Sequence, residues 1–184
     1  ELALRLGVAV PEKCYDIGFV GYLQKPSLSN RIDFLDELYK AFPSFLTVHG
    51  SFHEDMAHAY HQCKIGINHA VRDDLNMRFF ELASIGVPQL CDRRMVGLSE
   101  LGFIEGKHFI GYETAAEALE KIALWLDRPA LCEVMAQAAH EQVWRAQFLP
   151  LRIGPNGVWA VLKHLYRTGG VLQAQGHLSV RLSD

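Results

Sequence analysis

Residues 64–92 read KIGINHAVRDDLNMRFFELASIGVPQLCD, and this stretch decides the fold. Lys64 to Asn68, KIGIN, is a short apolar run of the kind that forms a buried strand. His69 to Leu75 is a loop, and Asn76 to Ile85 carries helical periodicity. At 3.6 residues per turn, Phe79, Phe80 and Ala83 share one side, which should face a sheet. Arg78 and Glu81 fall together on the opposite side, with Asp74 one turn earlier. Gly86 stands just past the helix and Pro88 just beyond it, the usual stop pattern. Gln89 to Asp92 then returns as a strand.

The same alternation continues in both directions. Upstream, Asp16 to Leu23, DIGFVGYL, reads as a buried strand ending in a glycine turn, followed by a polar loop over Gln24 to Ser29. A helix capped by Asn30 follows, with Ile32, Leu35, Leu38, Tyr39 and Phe42 as its apolar stripe, and Pro43 stops it. Phe45 to His49 is another strand, closed by Gly50, and Ser51 can cap a helix over His53 to Gln62. Downstream, His108 to Tyr112 reads as a fifth strand. Thr114 and Glu117 form a capping box for a helix with Leu119, Ile122 and Leu126 on its buried side. Pro129 opens a helix to about Ala146. Val158, Trp159, Leu162, Leu165 and Tyr166 mark a last amphipathic helix over Asn156 to Arg167.

Short strands alternating with helices predict an α/β fold: a Rossmann-like parallel sheet with helices on both faces. Such sheets bind ligands beyond the carboxyl ends of their strands. That directs attention to four loops: Gly21 to Asn30, Gly50 to His53, His69 to Asn76 and Cys91 to Ser99. At 184 residues, 49% hydrophobic and 21% charged, the chain suits one globular domain with a sizeable core, or one half of a two-lobed protein. A formal net charge of -3 argues against a broad nucleic-acid surface. No apolar run approaches the roughly 20 residues of a transmembrane segment. The four cysteines form no CxxC pair and no disulfide framework, which predicts a cytoplasmic protein.

The start of the Asn76 helix is the candidate ligand site. A helix N-terminus offers unpaired N–H groups and a partial positive charge, so a phosphate there gains backbone donors, with Arg78 as a charged fork. Glu81, a turn deeper, is placed to accept both hydroxyls of a ribose. The competing reading makes Asp74, Arg78 and Glu81 a solvated salt-bridge cluster worth about 0.3–0.5 kcal/mol per pair.

The run NMRFFELASIGVPQL resembles the donor-site signature of GT-B glycosyltransferases, especially the group-1-like branch that includes spore-maturation-type glycosyltransferases. The matching residues are Asn76, Met77, Arg78, Phe80 and Glu81, followed by Ala83, Gly86 and Pro88. The wider superfamily carries two acidic residues separated by seven positions; Glu81 fits the second, and Asp73, an aspartate where glutamate is commoner, the first. DIGFVGYL with Asn30 and Arg31 looks like the family's first strand and phosphate-side loop, and Val96 to Glu100 like its post-strand turn. The resemblance covers about Tyr15 to Phe148. It implies a nucleotide-sugar-binding lobe over residues 1–150, with a C-terminal helix and tail over 151–184 packing on an N-terminal lobe.

On that resemblance the donor is a nucleotide-diphosphate sugar and the acceptor is unknown. Gly21, Arg31, Asn76, Met77, Arg78 and Glu81 are the implied donor-binding residues: Glu81 on the ribose, Arg78, Arg31 and the Asn76–Met77 backbone on the diphosphate. Asp73, near the sugar ring, and Arg78 are the implied catalytic pair. No metal and no cofactor is implied, because helix N-terminus and basic side chains neutralise the leaving group. The chain opens on Glu1 rather than Met, and fewer than about 20 residues precede the first strand, too few for a second domain, so the acceptor-binding N-terminal lobe is expected upstream in cis or on another chain. An apolar stripe left exposed on the Asn156–Arg167 helix would favour homo-oligomers. Two other readings stay open, a non-catalytic assembly module that kept the fold, and a GT-B-like nucleotide-sugar epimerase.

Other signals are weaker. His49, His53, His58 and His61 cluster near Cys63, yet no second pair with zinc spacing and no HExxH accompanies them. Gly18 and Gly21 make GxxG without the GxGxxG of a dinucleotide site, and no P-loop occurs. Trp125, Trp144 and Trp159 lie on helices with apolar stripes, where packing is the default.

Overall fold

The computed structural model describes residues 12–23, 29–50, 53–70 and 75–146. Within them five strands form one sheet: β1 (Tyr15–Gly21), β2 (Phe45–His49), β3 (Cys63–Asn68), β4 (Gln89–Asp92) and β5 (Ile110–Tyr112). They lie in the order β2-β1-β3-β4-β5, and every neighbouring pair is parallel. The helices between them are α1 (Ser29–Ala41), α2 (His53–His61), α3 (Met77–Ser84), α4 (Ala115–Leu126) and α5 (Pro129–Ala146). The fold is thus the parallel α/β sheet expected, and each loop singled out above leaves a carboxyl end of that sheet. The C-terminal helix expected over 156–167 lies outside the described residues.

Side-chain alternation along the strands builds two cores. Ile17, Phe19, Ile65, Ile67, Leu90, Ile110 and Tyr112 point to one face, where Phe34, Leu35 and Leu38 of α1 and Ala118 and Ile122 of α4 cover them. On the other face Val20 packs with Met56, Ala59 and Tyr60 of α2 and with Leu82 of α3. Cys91 packs there with Phe79, Phe80 and Ala83 of α3. Helix α5 joins the two: Cys132 and Met135 belong to the first core, Ala139 and Val143 to the other. Each fully buried large apolar side chain contributes about 1.5–3 kcal/mol.

Caps set the ends of α3 and α4 as the sequence signals them, whereas Asn30, expected to cap α1, lies inside that helix, which begins at Ser29. Asn76 Oδ1 accepts from the Phe79 N–H at 3.1 Å, so α3 is N-capped. At its other end Gly86 takes φ 69°, and the N–H groups of Gly86 and Val87 bond to the carbonyls of Ala83 and Leu82. That is a Schellman motif, and only glycine adopts such a φ at little cost. Thr114 caps α4 by accepting from the Glu117 N–H at 3.2 Å. The return bond of this capping box goes one residue early: Glu117 Oε2 accepts from the Glu113 N–H at 2.9 Å.

Three further expectations need correction. Tyr39 is 59% exposed, and Phe34 takes its place in the stripe of α1, its ring stacked on Tyr112 of β5 and on His69. In α4, Ala118 and Ile122 are the buried pair, with Leu119 and Leu126 only partly covered. The fifth strand begins at Ile110, not His108. His108 is folded into a turn through Gly106 at φ 79°, where its Nδ1 accepts from the Ile104 N–H at 2.8 Å. Among the described residues no helix is long and apolar enough to cross a membrane, and all four cysteines are free thiols.

Candidate functional site

Strand order alone marks a crevice. The chain leaves β1 toward β2 and leaves β3 toward β4, so the two connections diverge at the carboxyl ends of adjacent strands. The register of β1 with β3 runs Tyr15↔Cys63, Ile17↔Ile65 and Gly18↔Gly66. Beyond it the Tyr60 hydroxyl, fully buried on α2, stands between the strand ends. It accepts from the Val20 N–H at 3.0 Å and makes a long 3.5 Å contact to the Ile67 carbonyl. Burial raises the Tyr60 pKa to about 12, which keeps the proton this bridging needs. Gly66 makes room for it: a Cβ there would lie 2.8 Å from Leu82 Cδ2 and 3.2 Å from the Tyr60 ring.

Two arginines reach the crevice from opposite faces of the sheet. Arg31, in the first turns of α1, lies over the Phe19 ring at 5.4 Å and donates from Nη2 to the His69 carbonyl at 2.9 Å. Arg78, in the first turn of α3, lies over the Tyr60 ring at 5.7 Å and pairs with Glu81 at 3.0 Å. Burial lowers the Arg31 pKa, the positive charge of Arg78 lowers it further, and Tyr112 and Tyr60 oppose this. Arg31 Nε and Arg78 Nη1 are buried, and neither has a hydrogen-bond acceptor among the described residues; the approach of Glu81 to Nη1 is an ion pair without hydrogen-bond alignment.

A third donor sits between them. Asn68, at the end of β3 and 2% exposed, accepts through Oδ1 from Asn76 Nδ2 at 3.0 Å. Its own Nδ2 finds no acceptor among the described residues. Asn76 is thereby fixed at both ends of its amide, capping α3 with one atom and holding Asn68 with the other. Met77 follows as the first residue of α3, its side chain packed on the second core.

Glu81 and Arg78 are not the solvated pair of the competing reading. Their side chains are 17% and 19% exposed, because the pair faces α2 rather than water. Gly21 owes its identity to packing: a Cβ there would lie 2.8 Å from the Phe19 ring, the same ring that carries Arg31. Asp73 and Asp74 lie outside the described residues; Arg31 reaches the end of β3 at His69, Asn76 reaches it at Asn68, and Arg78 with Glu81 lies by Tyr60, while the Met77 side chain packs on the second core.

Beside Arg31 lies a polar cluster that the sequence reading did not single out. The His69 ring stacks on Phe34 at 4.5 Å, its Nδ1 is 2.7 Å from the Tyr112 hydroxyl, and Asp92 Oδ2 is 3.8 Å away. Asp92 is 1% exposed and accepts from the backbone N–H and guanidinium of Arg94. Burial depresses the His69 pKa to about 4, against the pull of Asp92 and with the help of Arg31 and Arg94, so the ring is neutral near pH 7. A polar residue ending an apolar strand run, Asn68 after KIGI and Asp92 after QLC, is the signal that would have found the cluster.

Chemically, the crevice offers donors and positive charge with few acceptors, which suits an anion rich in oxygen. Among the described residues no group of three or more His, Cys, Asp or Glu side chains is placed to hold a metal ion. His61 is buried, its pKa depressed to about 4 chiefly by that burial, and its Nε2 has no partner among the described residues.

A family model described as glycosyl transferase-like matches residues 31–151. Solved structures share the fold at low identity. The C-terminal domain of a glycosyl transferase group 1 family protein from Francisella tularensis superposes with a TM-score of 0.56 at 10% identity, covering 79% of this chain and 92% of that one. Sucrose-phosphate synthase from Thermosynechococcus elongatus gives 0.57 at 15%, covering 91% and 48%. Anabaena HepE, solved in complex with UDP and glucose, gives 0.59 at 13%, covering 90% and 50%. The chain therefore spans about half the length of the latter two. No curated protein matches it by sequence.

Proposed function

The chain belongs to the glycosyl transferase-like family, and we propose that it is the donor-binding lobe of a glycosyltransferase of the group-1-like, spore-maturation-type branch. Its parallel sheet is that of a GT-B C-terminal lobe. The observation that carries the proposal is a set of buried donors near the point where the connections of a parallel sheet diverge: among the described residues Arg31 Nε and Asn68 Nδ2 have no acceptor, and Arg78 Nη1 has only its ion pair with Glu81. A buried donor left unmade costs about 1–3 kcal/mol, so such a set is retained where a ligand completes it.

In this reading the diphosphate of a nucleotide sugar lies between Arg31 and Arg78, at the N-terminus of α3 beside the Asn76 and Met77 backbone. Glu81 exchanges part of its pairing with Arg78 for the ribose hydroxyls. Gly21 leaves the Phe19 ring in place under Arg31, and Asp73 is assigned to the sugar side. Transfer breaks the bond between the anomeric carbon and the distal phosphate oxygen, whose electron pair stays with the diphosphate, while a nucleophilic atom of the acceptor bonds to that carbon and its proton leaves to a base or to the diphosphate. Charge grows on that leaving group as the bond breaks, so cations preorganised around it lower the barrier. Two arginines and a helix terminus supply that charge, and we propose no metal for the role. The acceptor, and the lobe that would bind it, belong to the whole enzyme.

Calorimetric titration with UDP, GDP, dTDP and CMP tests the reading, with UDP first because a structural neighbour was solved with it. Binding of one nucleotide, weakened by Glu81→Ala through the ribose contacts, is the expected result. A folded chain that binds none of them favours the assembly-module alternative.

A further inference from the structure

We infer that His69 is a positioning residue that fastens Arg31 across the mouth of the crevice, an inference that rests on the donor-lobe reading for its purpose. Arg31 and Phe34 are three residues apart on α1 and so lie on one side of the helix. Both contact the same residue at the end of β3: Arg31 Nη2 bonds the His69 carbonyl at 2.9 Å, and the Phe34 ring stacks on the His69 ring at 4.5 Å and 20°. The far side of that ring is held by the sheet. The Tyr112 hydroxyl on β5 is 2.7 Å from Nδ1, Asp92 on β4 is 3.8 Å away, and Tyr112 itself stacks on Phe34 at 5.1 Å and 2°. One residue therefore ties α1 to β3, β4 and β5.

The tie matters because of what it does to Arg31. A long cationic side chain beside a second cation would otherwise swing toward water, where its charge is better solvated. Bonding Nη2 to a carbonyl that is itself fixed holds the guanidinium over Phe19, with Nε left for a ligand. The neutral state of the His69 ring suits this task, since a charged ring would add a further cation beside Arg31 and Arg94. Phe34, Tyr112 and Asp92 act through His69 and touch no ligand in this account.

A double-mutant cycle on UDP affinity in the full chain separates positioning from general support. His69→Ala should weaken binding about tenfold when Arg31 is present and less than twofold in the Arg31→Ala background. Equal losses in both backgrounds overturn the inference while leaving the donor-lobe reading intact. Failure of the wild-type chain to bind UDP, GDP, dTDP or CMP overturns both. Should His69→Ala melt out, Phe34→Leu runs the same cycle with an expected loss of about threefold confined to the Arg31 background. Nitrogen-15 NMR of the Arg31 Nε–H supplies a readout without ligand. Its resonance should be slow to exchange in the wild type and lost in His69→Ala, and an unchanged resonance overturns the inference.

Discussion

Arg31 and Arg93 both stand at the carboxyl edge of the sheet, and they are treated in opposite ways. Arg93, just after β4, gives Nε and Nη2 to the two oxygens of Glu105 at 2.7 and 2.6 Å and Nη1 to Glu117 at 3.0 Å. Lys121 bridges the same two carboxylates at 3.1 and 3.0 Å, so charge is neutralised pair by pair. Hydrogen bonds donated to Glu105 raise the Arg93 pKa first of all. Arg31 has no carboxylate among the described residues; it is desolvated, faces a second arginine, and its pKa falls. The first arrangement is what structural support looks like, a saturated network on the flank of β5. Among the described residues the second leaves positive charge without a carboxylate partner, which costs stability and is kept where a ligand needs it.

The sharpest way to break this comparison is to remove each arginine in turn. Arg31→Ala should weaken nucleoside-diphosphate binding about 10- to 100-fold, the equivalent of roughly 1.5–3 kcal/mol for hydrogen bonds to a charged group. Calorimetry reads that loss, and thermal melting of the same variant should move by less than about 2 °C. A melting loss with intact affinity would reverse the assignment of Arg31.

Acid should separate the two regions by pH. His69 and His61 are held near a pKa of about 4 in the folded chain against an ordinary 6.5. The unfolded chain therefore binds more protons between these values, so stability falls as pH drops from about 6.5 toward 4, by up to about 1.4 kcal/mol per pH unit for each histidine. The Arg93 network responds lower down: Glu117 is held to about 2, mainly by the Glu113 N–H, and its contribution is lost only below about pH 4.5. Denaturant midpoints from pH 7 to 3 should show the first loss reduced in His69→Gln and the second unchanged by it.

The smallest effect belongs to Arg93→Ala. It should leave nucleotide affinity within twofold and lower the melting temperature by about 2–4 °C, which corresponds to roughly 0.5–1 kcal/mol for a partly exposed network. Weakened nucleotide binding in this variant would erase the distinction between the regions.

Much of the fold was legible because local signals agreed. Asn76 as a cap, Gly86 at positive φ and the continuous buried runs of β1 and β3 each follow from chemistry within a few residues. The site was legible in its parts: Arg31, Asn76, Arg78 and Glu81 were marked, and all four border one crevice. What the sequence did not reveal depends on contacts between distant residues. Phe34 displaced Tyr39 because its ring has Tyr112 and His69 to stack on, 78 and 35 residues away. Tyr60 reads as one more apolar residue of α2, and only the sheet order makes it the wedge between β1 and β3. The pairing of Arg78 with Glu81 was visible from spacing, but its burial was not, since that depends on the packing of α2.

The most direct test is a crystal structure of the chain soaked or grown with the nucleoside diphosphate that calorimetry selects. The account predicts the diphosphate at the N-terminus of α3, within hydrogen-bond distance of Arg31 Nε, Arg78 Nη1 and Asn68 Nδ2. A diphosphate bound elsewhere, with those three donors still facing no ligand atom, would contradict it.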